Sequence, residues 1–200
     1  MNIQSICVYC GSSFGNQTVY AEAARSLAGA LAARNIGLVY GGGNVGLMGV
    51  IANEMLRLGG EVTGVIPQAL MDKEVGHKGL THIHVVKDMH ERKAMMAALS
   101  DGFIALPGGI GTLEELFEML TWSQLDFHQK PIGVLNVEGF YAGLICFLQN
   151  LVDTGFVKAE QAALMMHEDN ADALLQRLQT WVPQKSTKLR DALAAQALFP

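Results

Sequence analysis

A three-layer α/β fold, in which one doubly wound parallel sheet carries helices on both faces, is what this sequence predicts. Three observations carry the prediction. Short runs rich in Val, Ile and Leu alternate with longer segments of helical periodicity. The runs are apolar almost throughout, as strands covered on both faces must be. Three of them end in glycine-bearing turns: Gly11-Ser12-Ser13, Gly41-Gly42-Gly43-Asn44 and Pro107-Gly108-Gly109. With 200 residues, half of them hydrophobic and 16% charged, the chain can bury a core of its own. It reads as a single domain over 1–183, followed by a tail, 184–200, of loose helix or disorder.

The first strand is expected near 3–9. Cys7 and Cys10 spell C-x-x-C there, but residues three apart in an extended strand are about 10 Å apart and face opposite ways, beyond disulfide reach. They read as buried strand cysteines. Three cysteines in all, Cys146 included, is the usage of a reducing compartment. A helix over 17–34 follows, with good helix formers from Ala21 to Leu31.

The second strand, 36–40, ends in Gly41-Gly42-Gly43-Asn44-Val45-Gly46, which satisfies G-x-G-x-x-G. An acid that binds ribose should end the next strand, whereas Glu61 begins it. The turn therefore reads as the close-approach wall of a smaller nucleotide pocket. After a helix over 46–58 and a strand over 61–66, the stretch Pro67–Thr81 lacks periodicity and is expected to be a mobile loop beside the site. In the fourth strand, 82–86, His82 and His84 share a face. No cysteine or acid completes a ligand set with them, and no metal is predicted.

The helix over 89–100 opens Met89-His90-Glu91-Arg92-Lys93. Two cations in a first turn oppose the helix dipole and call for an anionic partner. The fifth strand, 102–106, is stopped by Pro107. Gly108, Gly109 and Gly111 then let the backbone turn tightly, and Thr112 is expected to begin a helix over 112–125, its hydroxyl adding a donor. Unsatisfied N–H groups at such a terminus favour a phosphate. A purely structural alternative makes Glu115 the capping-box partner of Thr112. Three glycines exceed what helix initiation needs, and a second acid at Glu114 would be idle. Lys is missing from the Walker position, so triphosphate hydrolysis is not expected. Strands at 131–135 and 163–167 and helices at 138–153 and 170–182 complete the pattern. Met95, Met96, Leu99, Leu116, Met119 and Leu120 could form core or a dimer face, and each singly reads as core.

A net charge of −5 with scattered Lys and Arg leaves no footprint for nucleic acid or an anionic membrane. The beginning, Met1-Asn2-Ile3-Gln4-Ser5, has no basic region before an apolar one, and no apolar run reaches the ~18 residues of a spanning helix. A cytoplasmic protein is expected.

Pro107-Gly108-Gly109-x-Gly111-Thr112-x-x-Glu115, with Met89-His90-x-Arg92-Lys93 and Tyr40-Gly41-Gly42-Gly43, resembles the LOG family of cytokinin riboside 5′-monophosphate phosphoribohydrolases, whose members have often been labelled "possible lysine decarboxylase". The resemblance extends to about Pro183. It implies a Rossmann-like fold, a homodimer with hexamers in some relatives, no cofactor, and hydrolysis of the N-glycosidic bond of an adenosine-type 5′-monophosphate. Arg92 and Glu115 match the catalytic pair. Lys93, the turn Gly108, Gly109, Ile110, Gly111, Thr112, Leu113 and Glu114, and Thr121 match nucleotide contacts. Ser13, Gly43 and Met89 complete the expected substrate-binding set.

Cleavage of such a bond builds positive charge on the ribose, which a carboxylate beside the anomeric carbon stabilises, or whose attacking water it activates. The helix N-terminus and Arg92 are expected to lower the Glu115 pKa, against a role as general acid. Arg92 is assigned to positioning and charge stabilisation. Two rivals remain: a pyridoxal phosphate decarboxylase, for which Lys93 is the only lysine near these motifs, and a non-catalytic nucleotide carrier of the same fold.

Overall fold

The computed structural model describes residues 2–73 and 76–183; the tail expected over 184–200 lies outside them. Seven strands, β1 (Ser5–Tyr9), β2 (Gly37–Tyr40), β3 (Val62–Pro67), β4 (His82–Val86), β5 (Gly102–Ala105), β6 (Ile132–Leu135) and β7 (Met165–Glu168), form one sheet in the order β4-β3-β2-β1-β5-β6-β7. Every pairing is parallel. The strand order reverses beside β1, whose neighbours are β2 and β5. The crevice at the carboxyl ends of β1 and β5 is where ligands of open α/β sheets bind.

Helices α1 (Thr18–Ala32), α2 (Gly46–Arg57), α4 (Met89–Ala98), α5 (Ile110–Gln124), α6 (Ala142–Asp153) and α8 (Ala171–Gln179) cover the sheet. Short helices α3 (Gln68–Met71) and α7 (Ala159–Ala162) lie in the connections. Two cores result. Leu27, Leu31, Ile51, Met55 and Leu174 pack on one face with Ile6, Val8 and Cys10 of the first strand and its end. Met96, Leu116 and Met119 pack on the other with Cys7, Tyr9 and Phe103. The period of two along β1 thus sends Cys7 and Cys10 to opposite layers, where both are free and buried. Burial pushes the Cys7 thiol up to about 12 and that of Cys10 higher still.

Several expectations need correction. The stretch 67–81 is not wholly irregular: it begins with α3, and its far end is hydrogen-bonded to the rest of the molecule at His77. The helix expected from 138 begins as a single 3₁₀ turn, Val137–Gly139, because Glu138 takes a left-handed φ of 48° and breaks the line to α6. Met96, Leu116, Met119 and Leu120 are core, but Met95 is half-buried and Leu99, the C-cap of α4, is exposed.

Glycine meets glycine where the two halves of the sheet join. Gly11 N–H donates to the Pro107 carbonyl at 3.1 Å. A Cβ on Gly108 would lie 2.8 Å from the Gly11 nitrogen, so only bare backbone fits. Leu47 N–H donates to Gly11 O at 3.0 Å, which draws the start of α2 to the same place.

Candidate active site

The turn after β5 leads straight into α5, and the helix starts two residues earlier than expected. Its N-cap is Gly109, not Thr112, and no side chain caps it. Thr112 lies inside the first turn, buried, and a Cβ on Gly108 would lie 2.2 Å from its hydroxyl oxygen. The capping box with Glu115 is thereby excluded. A glycine cap leaves the first N–H groups of α5 directed outward without a side-chain acceptor, as an anion site requires.

Arg92 and Glu115 meet across the gap between α4 and α5. Nη1 donates to Glu115 Oε1 at 2.7 Å, and both side chains are nearly buried, at 10% and 11% exposure. Two further features hold the guanidinium. Nε donates to the carbonyl of Val65 on β3 at 3.2 Å. Nη2 occupies the space a side chain on Gly41 would fill, 1.9 Å from where that Cβ would be. The glycine turn after β2 therefore admits Arg92 itself into the wall.

The expectation for the Glu115 carboxyl is overturned. Burial raises its pKa and outweighs Arg92, which pulls the other way. Burial in three dimensions is not visible in a sequence, whereas the motif showed the cation and the helix end.

The anionic partners that the head of α4 calls for are carboxylates of α5. Lys93 is buried, and its Nζ bonds Glu114 and, at 3.1 Å, Glu118. Burial works against its charge, but the two carboxylates more than offset that and raise its pKa. Glu114 is not idle.

A cavity of about 280 Å³ opens over this pair. Of the expected residues, Met89, Arg92, Gly109, Ile110, Gly111, Thr112, Glu114 and Glu115 line it. Ser12, Gly41, Met48 and Met96 join them. Ser13 and Gly108 border an adjoining apolar recess with Phe14, Tyr20 and Phe140. Lys93, Leu113, Gly43 and Thr121 line neither. Lys93 is turned into the seam between α4 and α5, Leu113 packs on the core, Gly43 bridges to Gly76, and Thr121 is exposed further down α5. Met48 and Met96 escaped the sequence reading because methionine at helical spacing is the ordinary signature of core. His82 and His84 are exposed on the edge strand β4, away from this cavity.

Fold and site together define a parallel α/β protein with an uncapped helix N-terminus and a buried Arg–Glu pair at the point where strand order reverses. The family described as "Possible lysine decarboxylase" matches residues 48–178. Curated relatives include the cytokinin riboside 5′-monophosphate phosphoribohydrolases LOG5 and LOG2 of Arabidopsis thaliana. LOG5 is 49% identical over 89% of this chain and 78% of its own length, and LOG2 50% over 90% and 84%. A probable enzyme of the same name, LOGL3 of Oryza sativa subsp. japonica, is 48% identical over 88% and 84%. The chain belongs to this LOG family.

Solved structures share the fold. The molybdenum cofactor binding protein of Rippkaea orientalis aligns with a TM-score of 0.68 at 20% identity, over 90% of this chain and 98% of its own. The molybdenum cofactor carrier protein of Chlamydomonas reinhardtii aligns at 0.66 and 20%, over 90% and 100%.

Proposed function

We propose that this protein hydrolyses the N-glycosidic bond of adenosine-type 5′-monophosphates that carry a cytokinin base, releasing the base and ribose 5-phosphate. The observation that carries the proposal is the buried Arg92–Glu115 pair, one helical turn inside the uncapped start of α5 and open to the same cavity. The names of the LOG relatives support it.

The phosphate sits on the N–H groups of Ile110, Gly111 and Thr112, at the positive end of the helix dipole. The ribose then lies over the first turn of α5, about 5.4 Å long, which brings its anomeric carbon to Glu115. As the bond to the base nitrogen breaks, its electron pair leaves with the base, which takes a proton from solvent. Water attacks the cationic ribose carbon and gives its proton to Glu115. A carboxylate with a raised pKa is the better base for that step. Arg92 is a poor acid, since its guanidinium stays charged; it holds the carboxylate in place.

Beyond Glu115 the cavity offers Met48, Met89 and Ile110 to the base. Thioethers and an aliphatic chain pack on a purine face without reading its hydrogen-bonding edge, which suits a base bearing an apolar substituent.

A decarboxylase would need an accessible lysine for a pyridoxal Schiff base. Lys93 is held between two carboxylates and does not border the cavity. For the assembly we favour a homodimer, with a hexamer as its further association. Helix α6 has no buried residue, and it exposes Phe147 at 54%. Sedimentation velocity distinguishes the states. Unbridged thiols fit a cytoplasmic setting, which fractionation of the source cells tests.

Chromatography of the free base released from AMP and from isopentenyl-AMP tests the reaction, with Glu115→Gln as control. Release by the wild type that disappears in the variant is expected. Tight AMP binding without release would instead make the protein a carrier.

A further inference from the structure

The connection from α3 to β4 folds back on the glycine turn after β2, and His77 closes the contact. Its ring is buried, at 7% exposure, and its backbone N–H donates to Gly42 O at 2.9 Å, beside an antiparallel bridge between Gly76 and Gly43. Both ring nitrogens are engaged. Gly79 N–H donates to Nδ1 at 3.0 Å, which makes Nδ1 an acceptor and leaves the ring proton on Nε2. Nε2–H then donates to Asn53 Oδ1 at 3.1 Å, on α2. That contact fixes the direction of the Asn53 amide, whose Nδ2 donates to Asn44 Oδ1 at 3.3 Å. The relay ends on the residue that closes the turn Gly41–Asn44, and this turn is where the Arg92 guanidinium is seated.

We infer that neutral His77 is a positioning residue for Arg92. By gripping Gly42 through the backbone and Asn44 through Asn53, it keeps Gly41 at the one distance that admits the guanidinium. The inference rests on the proposed reaction only for the consequence that a displaced Arg92 slows turnover. A second ring proton, on Nδ1, would face the Gly79 N–H donor to donor, so the clamp opens as the pH falls.

Burial lowers the His77 pKa, which keeps the ring neutral to more acid pH than an exposed histidine. Among the described residues, the nearby charges are turned elsewhere. On α2, Glu54 is paired with Arg57. At the end of α3, Asp72 accepts from Gln68. In the connection itself Lys73 and Lys78 are exposed, and the Gly41–Asn44 turn carries no titratable side chain.

The test follows the Arg92 Nε–H resonance of the full chain by ¹H–¹⁵N NMR while the pH is lowered from neutral, in wild type, His77→Gln and His77→Ala, with kcat and KM measured beside it. In the wild type the Arg92 signal and the exchange protection of the Gly79 amide should be lost together. Over the same range kcat should fall about tenfold with KM little changed, as expected when a catalytic group is displaced but the substrate still binds. Glutamine keeps a donor for Asn53 and cannot take up a proton, so His77→Gln should retain the Arg92 signal throughout. His77→Ala should lack it already at neutral pH. An Arg92 signal in His77→Ala like that of wild type would overturn the inference. So would a loss of the Arg92 signal on acidification in His77→Gln equal to that of wild type, and this second comparison decides the matter even if the alanine variant does not fold. Absence of base release in every form would count against the proposed reaction alone, since the resonances report the clamp independently.

Discussion

Glu115 and Arg92 set opposing demands on one buried spot. The carboxylate must be charged to accept a proton, and burial resists that charge, so Arg92 is what keeps the group usable. Replacing Arg92 with Met removes the influence that pulls the pKa down, and the Glu115 titration should move to higher pH. Carbon-13 NMR of the side-chain carboxyl reads this directly, and an unmoved titration would remove Arg92 from the electrostatics of the site. The sign of activity follows: the rate falls as pH drops through a value above the ordinary carboxylate range. Gly41 is the second single-residue test. Its backbone tolerates alanine, but a Cβ there would lie 1.9 Å from Arg92 Nη2. Gly41→Ala should lower kcat about 10²-fold with the fold intact, since a misplacement of about 1 Å costs that much; kinetics beside a urea melt separates the two effects.

Elements explain where the sequence was readable. Strands β1 to β7 each fall within two residues of their expected positions, and in β2, β3 and β5 the apolar run is bounded by glycine or proline, which leaves little choice. Helix starts were harder. A threonine followed three residues later by a glutamate obeys the capping rule, but α5 begins at Ile110 with Gly109 as its cap, so Thr112 falls inside the first turn and the helix starts two residues earlier than the sequence suggests. The partners of Lys93 were out of reach for another reason: Glu114 and Glu118 meet it only once α4 and α5 lie side by side. Tyr141 gives a test at this scale. Its buried hydroxyl donates to the Leu106 carbonyl at 2.7 Å, one residue before the turn that opens α5. Tyr141→Phe leaves that carbonyl without its donor and should destabilise the protein by about 1–3 kcal/mol in urea denaturation. A change within error would mean that water replaces the hydroxyl.

Across the whole molecule, the order β4-β3-β2-β1-β5-β6-β7 assembles the site. The glycine turns after β1, β2 and β5 are far apart in sequence, and the expectation that they line one rim came from right-handed crossovers rather than from any motif. The pairing of Arg92 with Val65 and Gly41 was not legible, because it depends on α4 crossing over the sheet to reach groups from β3 and from the turn after β2.

That crossing gives the protein a form of quality control. Arg92 enters from α4, its seat from the ends of β2 and β3, and its carboxylate from α5, so four separately made parts must be in register before a glycosidic bond can be cut. A nascent or half-unfolded chain has no such register. Until α4 has docked, the carboxylate on α5 lacks the guanidinium that holds it, and the seat formed by Gly41 and Val65 stands empty.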